Sequence, residues 1–177
     1  MANILIVGDG AIGLLFSHFL SAQHTVTLLT RKPTLTTRFY QPSNGKSQPI
    51  NARLINHKEL NQFAPFEWVL FTVKAFQVEA AFKQLQPYLA EHCQVILSHN
   101  GMGNVDELNA ALSAHQGLSF LTTQQAGFKA TQYSVNHTGD GASLLGTCND
   151  AARKVLKQIE QHFSSLPNFS VTDDIHT

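Results

Sequence analysis

The sequence predicts an α/β fold, a mostly parallel sheet that is doubly wound, with helices on both faces. Three observations carry that expectation. Short apolar runs of strand length alternate along the chain with amphipathic stretches of helix length. The first run, "ILIV" at 4–7, passes directly into Gly8-x-Gly10-x-x-Gly13 and then into a helical pattern. Polar or small residues follow each run read as a parallel strand, and ligands bind beyond the carboxyl ends of such strands.

The elements follow in order. After the 4–7 strand, "AIGLLFSHFLSA" (11–22) reads as a helix with a wide apolar face, and "TVTLL" (25–29) as the second strand. Residues 31–60 are polar, with an Asn44-Gly45 turn signal between "TTRFYQ" and "INARLIN", and read as a hairpin or an irregular excursion. "WVLFTV" (68–73) is a buried strand followed by the helix "FQVEAAFKQLQPYL"; "QVILS" (94–98) is a strand and "NVDELNAAL" a short helix. "LSFLTT" (118–123) is the next strand. "YSVNH" and "ASLLG", joined through Gly139-Asp140-Gly141, suggest an antiparallel pair at the sheet edge. The stretch 149–163 reads as one helix opening on an Asn149 cap. No internal repeat or low-complexity segment interrupts the alternation.

Composition narrows the function classes. The 177 residues are 43% apolar and 14% charged, enough for one domain with a core. Twelve basic residues balance twelve acidic ones, so no bulk field draws nucleic acid or anionic lipid, and any anion site must be local. Neither a leader peptide nor a membrane span is read, and Cys93 and Cys148 read as reduced thiols, so a cytoplasmic protein is expected. The nine histidines are scattered without ligand spacing, so no metal site is expected; His99 reads as a structural hydrogen-bonder beside the site. The oligomeric state is not legible, and a homodimer is compatible with the sequence.

The glycine fingerprint between strand and helix is that of a Rossmann-type dinucleotide loop. Gly8 permits the sharp turn, Gly10 lets a pyrophosphate meet bare backbone, and Gly13 lets the helix pack against the strand. The helix N-terminus, with Ala11 and Ile12, then faces the phosphates with unpaired amides. Asp9, a carboxylate inside an anion-binding loop, is expected to face solvent. The second strand ends in Thr30, Arg31 and Lys32, where an NAD site usually carries an acid. A guanidinium there suits a 2′-phosphate, so NADPH/NADP is the expected cofactor, with Thr30 and Lys32 assisting Arg31. Lys74, the segment Asn100-Gly101-Met102-Gly103, and Gln124-Gln125-Ala126 follow the later strands.

"GDGAIG", "VKAFQV", "SHNGMGN" and "LTTQQAG", with "NHTGDGASLLG" further on, resemble the N-terminal half of the ketopantoate reductase (2-dehydropantoate 2-reductase) family. The resemblance covers essentially the whole chain. It implies reduction of 2-dehydropantoate, a small 2-keto acid, to pantoate with NADPH, in pantothenate and coenzyme A biosynthesis. It implies that Gly8, Asp9, Gly10, Ala11, Ile12, Gly13, Arg31, Lys74, Asn100 and Ala126 form the cofactor site, with Lys74 and Asn100 also near the substrate. Gln124-Gln125 depart from the pair expected there. The resemblance further implies a general-acid lysine beyond Thr177, on a C-terminal helical domain absent from this chain. Residues 1–167 would then be the NADP-binding domain and 168–177 the start of a linker, with no catalytic residue and little or no activity alone. Two other readings are compatible with the residues: an NADPH-binding sensor or interaction module without catalysis, and a related 2-keto or β-hydroxyacid oxidoreductase.

Overall fold

The computed structural model describes residues 1–31, 36–98 and 105–173. In chain order these form β1 (Asn3–Val7), α1 (Ala11–Leu20), β2 (Thr25–Leu29), β3 (Phe39–Gln41), β4 (Gln48–Pro49) and β5 (Ala52–Ile55). Next come α2 (Leu60–Phe63), β6 (Phe66–Phe71), α3 (Ala75–Leu85), β7 (Leu89–Leu97), α4 (Val105–Ala111) and β8 (Gly117–Thr123). The chain continues through β9 (Ala126–Thr131), β10 (Ser134–Gly139), β11 (Ser143–Thr147), α5 (Asp150–Arg153), α6 (Leu156–His162) and β12 (Phe169–Thr172).

Eight strands form the main sheet in the order β12-β11-β8-β7-β6-β1-β2-β5. Every pairing in it is parallel except β8 with β11. The central strands are apolar on both sides because both faces are covered, and the two-residue alternation sorts each strand between two cores. Ile4 and Ile6 of β1, Leu70 of β6 and Ile96 of β7 join Leu14, Phe16 and Leu20 of α1 and Ile159 of α6. Leu5 and Val7, Val69 and Phe71, and Val95 and Leu97 join Val78, Phe82 and Leu85 of α3 and Leu108 of α4. The expected α/β class, mostly parallel and wound on both faces, is what the chain forms.

A second, four-stranded sheet of order β4-β3-β10-β9 was not expected. It packs on the side of α1 that faces away from the main sheet. The ring of His18 stacks on Tyr40 with centroids 3.7 Å apart, and Phe19 meets Tyr40 and His137 edge-on at 5.8 and 5.5 Å. A Cβ on Gly127 would stand 3.1 Å from Leu15 Cδ1, so β9 also lies directly on the helix. Covered on two sides, α1 is apolar around most of its circumference, as a helix buried between layers must be.

Three sequence expectations are corrected here. The 31–60 excursion divides: β3 and β4 pair as a hairpin through Gly45 at φ +124°, while β5 joins the main sheet parallel to β2. "YSVNH" and "ASLLG" do not pair with each other. The first belongs to β10, antiparallel to β9 in the small sheet, and the second to β11, antiparallel to β8 in the main one. The expected 149–163 helix breaks at Val155, where φ −114° and ψ 22° leave the helical region. Its Asn149 cap holds, accepting from the Ala152 amide at 3.0 Å. Asn149 Nδ2 also donates to the Gln116 carbonyl at 3.0 Å, which fixes α5 against the start of β8.

Neither Cys93 nor Cys148 forms a disulfide, and burial, with Glu67 nearby, pushes the pKa of Cys93 up to about 12. Among the described residues no helix is long and apolar enough to cross a membrane. Leu15 is fully buried and ties α1 to the small sheet. Leu15→Ala is expected to cost about 2–5 kcal/mol of stability; equilibrium denaturant unfolding measures it, and a loss under ~1 kcal/mol would mean that the small sheet does not load the helix.

Candidate functional site

Strand order places the candidate site. The chain steps from β1 to β2 and β5 on one side, then returns to lay β6, β7 and β8 on the other. Loops leaving β1 and β6 therefore part in opposite directions and open a crevice at the carboxyl ends, the usual ligand position in open α/β sheets. A cleft of ≈ 490 Å³ lies there, lined by Val7, Gly8, Asp9, Gly10, Leu29, Arg31, His57, Thr72, Val73, Gln77, Ala80, Ala81 and Gln84. This volume falls within the range of about 300–1,000 Å³ typical of small-molecule sites.

The glycine loop is shaped by close packing. Gly8 has φ +110°, a left-handed conformation that favours glycine. The Thr72 hydroxyl lies 2.9 Å from the Val7 carbonyl and 3.0 Å from that of Gly8, sharing its proton between them. A Cβ on Gly13 would fall 2.0 Å from the Gly8 carbonyl oxygen and 2.7 Å from Thr72 Oγ1. Gly10 differs: a Cβ there would meet nothing within 4 Å. As the N-cap of α1, Gly10 brings no side chain to cap the helix, and no acid stands in the first turn. The loop thus leaves open space above bare backbone, with the positive end of a helix dipole beside it. That arrangement fits an anionic phosphate group, and Gly8, Gly10, Ala11, Ile12 and Gly13 are the residues that would hold it.

Asp9 does not face bulk solvent as expected. Its Oδ2 accepts from Arg38 Nη2 at 2.9 Å and from the Thr30 hydroxyl at 3.0 Å. Burial raises the carboxyl pKa and is the largest single effect. The Arg38 hydrogen bond, the charge of Lys129, the Thr30 hydrogen bond and the Arg38 charge together outweigh it, so Asp9 stays below the usual 3.8. The physical reason for the correction is Arg38, which is 1% exposed and needs a counter-charge. Its guanidinium also donates to the Thr36 carbonyl and lies 5.2 Å from the Tyr133 ring centroid.

The other expected site residues divide. Arg31 is exposed and lines the cleft with Gly8, Asp9 and Gly10. Lys74 is exposed at the N-cap of α3, next to the cleft residue Val73, and its amide donates to Gln77 Oε1 at 3.1 Å. Ala126 opens β9, exposed and paired with Gly139, and is not part of the cleft lining. Asn100 and His99, the other residues of 99–104, and Lys32 lie outside the described residues. So does Thr177, the residue beyond which the general-acid lysine is expected, together with 174–176 before it.

Gln125, which departs from the expected family pair, turns inward. Its amide donates to the Gly141 carbonyl at 2.5 Å, and its Oε1 lies 2.7 Å from His137 Nε2. Since Gln125 Oε1 and the Gly139 carbonyl both accept, the fitting tautomer carries its proton on Nε2, leaving Nδ1 to accept from Tyr40 at 2.7 Å.

The polar cleft residues His57, Thr72, Gln77 and Gln84 escaped the sequence reading. Gln77 lies inside "VKAFQV", a string read as a whole and not residue by residue. His57 follows β5, a strand hidden in the polar 31–60 stretch. Its signal was the Asn56-x-x-Glu59 spacing of a capping box, in which Asn56 Oδ1 accepts from the Lys58 amide at 3.0 Å and Glu59 Oε1 from the Asn56 amide at 3.1 Å. A cleft of ≈ 600 Å³ at the opposite, amino ends of β6–β8 is lined by Glu67, Glu91, His92, His115 and Lys154 among others. It gathers none of the glycine-loop chemistry, and among the described residues no three side chains are placed to hold a metal ion.

Comparison with known proteins agrees with this fold. The family model for ketopantoate reductase PanE/ApbA matches residues 4–150. The 2-dehydropantoate 2-reductase of Vibrio cholerae is 37% identical over 150 residues, covering 83% of this chain and 48% of that protein. The crystal structure of a PanE/ApbA family ketopantoate reductase from Ralstonia eutropha superposes with a TM-score of 0.80 at 21% identity, over 98% of this chain and 57% of the other. D-mandelate dehydrogenase, in its ternary structure with NADH and anilino(oxo)acetate, gives 0.85 at 20% identity, over 98% and 58%. The chain spans about half the length of the curated relatives it matches.

The two inner glycines are expected to respond differently to a methyl group. Gly13→Ala forces Cβ into a carbonyl and is expected to destabilise the fold by about 1–3 kcal/mol or more. Gly10→Ala loses only a favourable cap residue, about 1 kcal/mol or less. Thermal unfolding of both variants checks this, and equal losses would show that the loop is not packed as described.

Proposed function

The chain belongs to the ketopantoate reductase family, and from that premise we propose that it forms the NADPH-binding domain of a 2-dehydropantoate reductase that also has a helical substrate domain. Because β12 (Phe169–Thr172) pairs with β11 in the main sheet, the domain runs past the expected boundary at 167. The observation that carries this reading is Arg31, exposed in the cleft of the glycine loop at the end of a strand that bears no acid. In this proposal the amides around Gly10 take the pyrophosphate and Arg31 takes the 2′-phosphate in a charge-assisted contact. D-mandelate dehydrogenase, of similar fold, is named with NADH; in this proposal the residues at the end of β2 set which dinucleotide this chain takes.

A bound nicotinamide dinucleotide would supply the hydride. The protein's part is to hold the keto acid, orient it, and stabilise the charge that develops on its carbonyl oxygen. Lys74, exposed at the end of β6, supplies a cation suited to a carboxylate or a developing alkoxide, and Asn100 is proposed to join it. A proton donor is also required, and the resemblance assigns it to a lysine beyond Thr177, outside these 177 residues. The half-length match to the curated relatives supports this division, in which the chain supplies the cofactor half of the enzyme. Two cysteines outside any disulfide suit a reducing, cytoplasmic setting.

Calorimetric or fluorescence titration tests the reading. Wild type is expected to bind NADPH more tightly than NADH, and Arg31→Ala to lose about 1.5–3 kcal/mol of NADPH affinity with little change for NADH. Gly10→Ala is expected to bind both dinucleotides weakly while remaining folded. Equal wild-type affinities, unmoved by Arg31→Ala, would overturn the cofactor assignment. In a steady-state assay the 177-residue chain is expected to reduce 2-dehydropantoate little or not at all; turnover near that of a full-length relative would overturn the division of labour.

A further inference from the structure

β2 is followed by Thr30-Arg31 without an acid, yet a carboxylate stands at that strand end in space. Asp9 reaches it from the glycine loop, with Oδ2 3.0 Å from Thr30 Oγ1, and Asp9 and Arg31 line the same cleft. In dinucleotide sites that accept a free ribose 2′-hydroxyl, a carboxylate at the end of the second strand takes that hydroxyl. The one seen here is supplied by a different segment and is paired to Arg38 at 2.9 Å. Asp9 lines the cleft and its side chain is 20% exposed in this pair, whereas Arg38 is 1% exposed and is not among the lining residues. Lys129 of β9 adds a second positive charge near Asp9.

The two charges next to the ribose position therefore oppose each other. Arg31 attracts a 2′-phosphate, whereas Asp9 offers an acceptor to a 2′-hydroxyl and repels a phosphate dianion. How strongly it repels depends on how far Arg38 neutralises it. We propose that Asp9 is a specificity-determining residue for the ribose 2′ position, and that Arg38 is a positioning residue that sets its effective charge. This rests on the dinucleotide reading of the cleft and deepens it. It makes cofactor choice depend on a pair that links the glycine loop to residues next to the small sheet, in addition to the strand-end arginine.

The test is titration of wild type, Asp9→Asn and Arg38→Gln with NADPH, NADH, adenosine 2′,5′-bisphosphate and AMP. Asp9→Asn is isosteric and keeps an oxygen for Arg38. It is expected to lower the ratio of the NADPH to the NADH dissociation constant by about tenfold, the weight of one charged contact. Arg38→Gln leaves Asp9 uncompensated and is expected to raise the same ratio by about tenfold. The two adenosine ligands are expected to repeat both shifts, because they differ at the 2′ position alone. A purely structural role would weaken all ligands alike and leave the ratio in place. If Arg38→Gln does not fold, Asp9→Asn decides alone. Binding by wild type with a ratio that Asp9→Asn leaves within about twofold overturns this proposal and spares the cofactor site. Failure of wild type to bind any of the four ligands overturns both.

Discussion

The contact between Gly13 and the Gly8 carbonyl governs the rest of the molecule. With no room for a Cβ at Gly13, α1 starts as close to the end of β1 as backbone permits, and Thr72, directly after β6, pins the same carbonyl. Three elements thus converge on one peptide group. That convergence fixes the direction of α1, and the direction of α1 decides which of its faces meets the main sheet and which is left for the second. It also aims the uncapped first turn of the helix at the cleft. Fold and candidate site here share one steric condition.

Placing an aspartate in such a loop would ordinarily work against anion binding. The chain accommodates it by bringing Arg38 from a distant segment, so that the loop carries a carboxylate paired with a buried guanidinium. A loop whose open backbone suits a phosphate is thereby tied to a second layer of structure. Arg38 stands directly before β3, whose Phe39 amide donates to the Tyr133 carbonyl at 2.8 Å, and Lys129 approaches Asp9 from β9. The small sheet is consequently part of the electrostatic surroundings of the loop as well as a cover for α1.

What could be read from the sequence followed from local rules. The parallel strands, their two-sided burial and the glycine turn were legible because each depends on periodicity or on residues adjacent in the chain. Arg31 was legible for the same reason, since a strand end and a missing acid lie side by side. The second sheet was not, because β3 is three residues long and β4 two, too short to show alternation. "YSVNH" and "ASLLG" looked like partners by proximity, yet each finds its partner across a different layer. Asp9 was misread because its counter-charge lies 29 positions away. Only the wide apolar surface of "AIGLLFSHFL" hinted that something beyond the main sheet must cover that helix.

The small sheet has a consequence for how the molecule is assembled. Its parallel pair joins 39–41 of β3 to 134–136 of β10, across most of the length of the chain. During synthesis β1, α1 and β2 emerge early, while β9 and β10 emerge only after the main sheet has gained β8. Until then the side of α1 bearing Leu15, His18 and Phe19 has no cover, and an apolar face waiting for a late partner invites association with other chains. The order of translation therefore leaves the helix that anchors the glycine loop as one of the last parts of the nascent protein to be fully enclosed.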